Sequence, residues 1–79
     1  MQKKIIATRL INKKENSVKF QEVLANYGEF IKFRVGLSDE EHRGLVILYV
    51  EGEASKVEEL VAELNKIEDI VVNTMESPM

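Results

Sequence analysis

The chain predicts an α+β fold, a four-stranded antiparallel sheet with two helices on one face. Three observations carry this. Apolar residues fall in the order strand, helix, strand, strand, helix, strand. Their period changes from about two to about 3.6 residues between neighbouring segments, separating half-buried strands from amphipathic helices. Almost nothing of the 79 residues is left over. That order is the split βαβ signature of a ferredoxin-like βαββαβ sandwich, and the length fits one domain spanning residues 1–79.

The first strand is expected over residues 3–11, where Ile6, Thr8 and Leu10 alternate with Ile5, Ala7, Arg9 and Ile11. Both sets are largely apolar, so both faces of the sheet are expected to be covered. Arg9 is the exception and marks a wet or interfacial patch. A polar connection, residues 12–16, leads to a helix capped by Asn16 or Ser17. Phe20, Val23, Leu24 and Tyr27 form its apolar stripe, and Gly28 is expected to end it in a left-handed conformation. In the second strand, about 29–37, Ile31, Phe33 and Val35 alternate with Lys32, Arg34 and Gly36. The acidic segment 38–44 is a surface loop. The third strand, 45–50, is apolar on both faces and therefore central. Ser55 and Glu58 have the spacing of a capping box for the second helix. Val57, Leu60, Val61, Leu64 and Ile67 make its stripe, with Glu58, Glu59 and Glu63 outside it. The last strand covers about 70–75, before a short tail.

Composition narrows the function classes. There is no cysteine, which rules out a disulfide framework and a thiolate metal site. No apolar run approaches the roughly 20 residues of a membrane span, and the start lacks the apolar core of a secretory signal, so a cytoplasmic location is expected. The net charge is −3, divided into +5 over residues 1–36 and −8 over residues 37–79. The fold interleaves these halves, which brings opposite charges together within one subunit.

Nucleophilic catalysis has no support, since the four serines lack a His–acid constellation. The glycines match neither a phosphate loop nor a dinucleotide fingerprint. His42 follows Asp39, Glu40 and Glu41, but one chain does not supply the four spaced ligands of a structural zinc site. RNA-binding domains of this topology stack bases on aromatics of the two central strands. Here the first strand has none and the third only Tyr49, so no direct nucleic-acid role is expected. No cofactor and no enzymatic activity are expected.

The remaining signal is the doubly apolar sheet. Helices cover one face only, and an apolar face left in water marks an association surface. A homo-oligomer, dimer or tetramer, assembled through the sheet is therefore expected, with ligand pockets where subunits meet.

The stretch 27–37, Tyr-Gly-Glu-Phe-Ile-Lys-Phe-Arg-Val-Gly-Leu, is more specific than a generic strand. It resembles the helix-end and second-strand motif of a small bacterial family described as regulators of iron-only hydrogenase systems. That family is related to ACT-like domains and to the metal-sensing domain of nickel-responsive regulators. Its pattern runs Tyr-Gly, two residues, Ile, one residue, Gly-Arg-x-Gly, an aliphatic and Pro. Tyr27, Gly28, Ile31, Arg34, Gly36 and Leu37 match, whereas Phe33 stands for Gly and Ser38 for Pro. The run 43–52 ending Val50-Glu51-Gly52, and the helix leading to Ile70-Val71-Val72, also fit.

The resemblance implies a stand-alone, ACT-like regulatory domain that binds a small effector or a protein partner at an oligomer interface. The alternative is a structural adaptor without ligand. The loop 12–16 has no glycine, unlike amino-acid-binding ACT domains, and nickel sensing uses several histidines where this chain has His42 alone. No separate DNA-binding domain is visible, so a role in transcription is expected to run through a partner. Arg34, Gly36 and Arg43 are the candidate ligand contacts, as anion-binding positions beside the interface. Phe33 is expected to fill space that the family keeps open beside the second strand.

Overall fold

The computed structural model describes residues 1–11, 13–38 and 43–79. Its elements run β1 (Gln2–Leu10), α1 (Lys13–Asn26), β2 (Ile31–Ser38), β3 (Gly44–Gly52), α2 (Ala54–Asn65) and β4 (Ile70–Glu76). The sheet order is β2-β3-β1-β4, with every neighbouring pair antiparallel. This is the ferredoxin-like fold. β1 and β3 are central, as their apolar character on both faces predicts. Each helix carries the chain past one intervening strand, so the two βαβ halves interlock. Basic and acidic halves meet as a result: Lys4 Nζ lies 3.8 Å from Glu76 Oε1, across a β1–β4 register pair.

The core lies between the helices and one face of the sheet. Ile6 and Leu10 of β1, and Leu48 and Val50 of β3, pack there with Phe20 and Leu24 of α1 and Val57, Leu60 and Leu64 of α2. Full burial of a side chain of this size contributes about 1.5–3 kcal/mol, and these few residues hold most of the hydrophobic stabilisation. Thr8 is fully buried among them. Its hydroxyl donates to the Val46 carbonyl at 2.9 Å, which removes the penalty of an unpaired buried donor.

Gly52 is required by close approach. A Cβ there would sit 2.6 Å from Phe30 Cδ1, because the Phe30 ring lies flush on the β3 backbone. The Glu51 N–H, donating to the Phe30 carbonyl at 2.9 Å, locks the same contact. Among the described residues only Asp69 has a positive φ, 56°. It turns the chain into β4 and accepts from the Ile11 N–H at 3.0 Å.

Four local expectations need correction. α1 begins at Lys13, so Asn16 and Ser17 lie inside the helix rather than capping it. Asn16 is buried, and its Nδ2 has no hydrogen-bond partner. Second, the N-cap of α2 is Glu53, with no side-chain cap bond. The helix starts one residue before Ser55, which places that serine past the capping position, and the Ser55–Glu58 box does not form. Third, Gly28 is not left-handed. The residues after α1 instead make successive tight turns, with Phe30 N–H donating to the Tyr27 carbonyl and Ile31 N–H to that of Gly28.

The fourth correction matters most. Ile31 pairs with Val50, but Phe33 pairs with Tyr49, so two residues of β2 span one step of β3. This bulge reverses the facing of the strand. Ile31 therefore packs against the core, while Phe33, Val35 and Leu37 lie on the opposite face, opposite Tyr49, Ile47 and Leu45.

Candidate functional site

The face of the sheet turned away from the helices is an ordered apolar array. Register places Leu37, Leu45, Arg9 and Val71 in one row across the four strands. Val35, Ile47, Ala7 and Asn73 form the next, and Phe33, Tyr49, Ile5 and Met75 the third. Only Arg9 and Asn73 interrupt it. Leu37 is 64 % exposed, Met75 56 % and Phe33 55 %. Tyr49 is the exception at 7 %, because the Phe33 ring stacks over it with centroids 5.7 Å apart and planes 5° from parallel. Offset aromatic pairs of this kind contribute about 0.5–1.5 kcal/mol beyond burial. Phe33 thus lies on the open face and shields Tyr49, while it also borders the hollow beside β2. The Tyr49 hydroxyl is buried without a hydrogen-bond partner.

The three predicted ligand contacts do not converge. Arg34 and Gly36 lie on the helix-facing side of β2, beside a groove where the strand overhangs α1. Arg34 Nη1 donates to Gln21 Oε1 of α1 at 2.9 Å, bridging that groove. On one side of the bridge a hollow of about 310 Å³ is lined by Ser17, Arg34, Gly36 and Ser38 among others. On the other, one of about 300 Å³ includes Leu24, Ile31 and Phe33. Gly36 is not forced by packing, since a Cβ there would meet only Val46 Cγ2, at 3.9 Å.

Arg43 belongs elsewhere. It lines a depression of about 530 Å³ at one end of the sheet, together with Arg9, Leu37, Ser38, Gly44 and Leu45. Arg9 was marked in the sequence as the lone charge in an apolar alternation. What the sequence does not show is that Arg9 pairs with Leu45 and so shares a hollow with Arg43. Residues 39–42, including His42, lie outside the described residues. Among the described residues no cluster of three or more His, Cys, Asp or Glu could hold a metal ion. None of their helices is long and apolar enough to cross a membrane.

Residues 3–74 match the family model described as "TM1266-like: Iron-only hydrogenase system regulator, putative". The chain belongs to this family. The match spans all six elements, apart from the ends of β1 and β4, and agrees with the resemblance read from residues 27–37. Among solved structures, the uncharacterized protein TM1266 from Thermotoga maritima superposes with a TM-score of 0.88 at 22 % identity, covering 95 % of both chains. The C-terminal domain of the MgtC protein from Mycobacterium tuberculosis gives 0.57 at 16 % identity, over 100 % of this chain and 93 % of that one. A formyltetrahydrofolate deformylase from Pseudomonas putida KT2440 gives 0.62 at 9 % identity, over 95 % of this chain but 29 % of its own. At these identities the structures show a shared fold alone. No curated protein matches the chain. The family description is that of a regulator and names no reaction.

Proposed function

We propose that this member of the hydrogenase-regulator family is an ACT-like regulatory module that self-associates through the open face of its sheet and takes a small effector or a protein partner at the interface so formed. One observation supports it above the rest: the open face carries an apolar residue at ten of its twelve register positions. Several of these are more than half exposed in the single chain. A continuous apolar patch of this kind on a small domain is costly in water and favours burial against another surface. Two sheets packed face to face, about 10 Å apart, are the simplest way for copies of one chain to bury it. Arg9 and Arg43 then stand at the rim, where an effector can report on assembly.

The adaptor alternative has its own support in Arg34, whose guanidinium is already bonded to Gln21 and does not wait for a ligand. Native mass spectrometry on gently purified protein tests the proposal. A dimer or tetramer carrying a defined extra mass is the expected result. A clean oligomer leaves a partner pull-down to separate the regulatory module from the adaptor, and a monomer at micromolar concentration overturns self-association.

A further inference from the structure

We infer that the depression at the Arg9 end of the open face binds an organic carboxylate with a short apolar body, an inference that rests on the effector reading above and gives its ligand a chemical class. The hollow combines two kinds of surface that one ligand must satisfy together. Its charged side chains are Arg9 and Arg43, with no carboxylate among the described lining residues. Arg43 stands two residues before Leu45, the register partner of Arg9. Two residues along a strand span about 6.6 Å, within reach of two long arginine side chains.

Arg9 is the principal contact. Its register partners are Leu45 on one side and Val71 on the other, so neither residue directly opposite it is a carboxylate. Among the described residues its side chain has no ion pair or hydrogen bond, whereas Ser38 and Arg43 already have protein partners. A guanidinium fork matches a carboxylate with two parallel N–H···O bonds. Beside Ser38 and Gly44, the hollow has two aliphatic walls: Leu37 is 64 % exposed and Leu45 41 %. A bare inorganic anion would satisfy Arg9 and leave both leucines wet, while a neutral apolar molecule would bury the leucines and desolvate Arg9 without a partner. A volume of about 530 Å³ lies within the range of small-molecule sites. The chain also places three of its own carboxylates just before Arg43, at positions 39, 40 and 41. Arg43 already has a protein partner, so discrimination rests on Arg9 and the apolar walls.

Calorimetric titration of the full chain at low ionic strength tests this, with acetate, hexanoate and inorganic phosphate as probes. The expected order is hexanoate tightest, by about tenfold or more over acetate, since burial of two methylenes alone supplies about that factor. Phosphate is expected to bind no better than acetate. Arg9→Gln, checked for wild-type circular dichroism, is expected to weaken hexanoate about tenfold or more, with Arg9→Lys intermediate and Arg34→Ala unchanged. Equal affinity for phosphate and hexanoate, or an unchanged Arg9→Gln, overturns the site. Native mass spectrometry on the same samples separates the two readings. An oligomer that binds no hexanoate overturns this inference and leaves self-association standing. A monomer that binds hexanoate through Arg9 supports the site and overturns self-association.

Discussion

The two faces of the one sheet are made by the same strands and have opposite fates. On the helix-facing side, Ile6, Leu48 and Val50 are completely shielded by α1 and α2. On the other, Val35, Leu37, Leu45 and Met75 are as apolar and stand in contact with solvent. Composition does not separate the faces; what covers them does. The covered face explains why the chain folds, and a residue there needs no further role. Apart from the Phe33–Tyr49 stack, the open face leaves its larger apolar side chains exposed, and that exposure is what the proposed interface accounts for.

Substitutions on each side sharpen that contrast. The largest loss of stability is expected from Phe20→Ala, since Phe20 is fully buried and its truncation costs about 3–5 kcal/mol. Against a typical total of about 5–15 kcal/mol, this leaves a small domain near its limit, measurable as a large fall in the urea midpoint. Gly52→Ala comes next, at about 1–3 kcal/mol, because its methyl group must displace the Phe30 ring. A wild-type midpoint there would mean that Phe30 moves aside freely.

Arg34→Ala, at the edge between the faces, removes one exposed hydrogen bond to Gln21. It is expected to cost less than about 1 kcal/mol. The smallest effect lies on the outer surface of α2. The hydrogen bond and charge of Glu63 raise the pKa of the exposed Lys66. A raised folded pKa stabilises below the unfolded value and is lost as pH rises through the folded one. Glu63→Gln should therefore lower the Lys66 pKa in an NMR titration and abolish that slight alkaline dependence.

Much of the fold could be read from periodicity, because each helix keeps its stripe and the central strands are apolar on both sides. The misreadings occur where a pattern is necessary but not sufficient. Ser55 and Glu58 have the spacing of a capping box, yet α2 begins at Ala54 with Glu53 as its N-cap, two residues before the position that box implies. Ile31, Phe33 and Val35 alternate as if on one face, and only the pairing with β3 reveals the bulge that sends Ile31 inward and the others outward. The candidate site was half legible. Arg9 was visible as a charge out of place, but its convergence with Arg43 is a property of register between strands far apart in sequence. Arg34 and Gly36 are candidates together with Arg43 in the sequence, as anion contacts beside an interface, whereas the pleat puts them on the helix-facing side of β2, opposite Leu48 and Val46.

The central claim is that the open face is an interface, and sedimentation equilibrium on the wild type and on Ile47→Glu tests it most directly. Ile47 is on the open face, between Val35 and Ala7 in register, so a carboxylate there would be trapped between subunits at a heavy desolvation cost. The account predicts a dimer or tetramer for the wild type and a folded monomer for the variant. A wild-type monomer across the accessible concentrations, or a variant that assembles as tightly as the wild type, would contradict it.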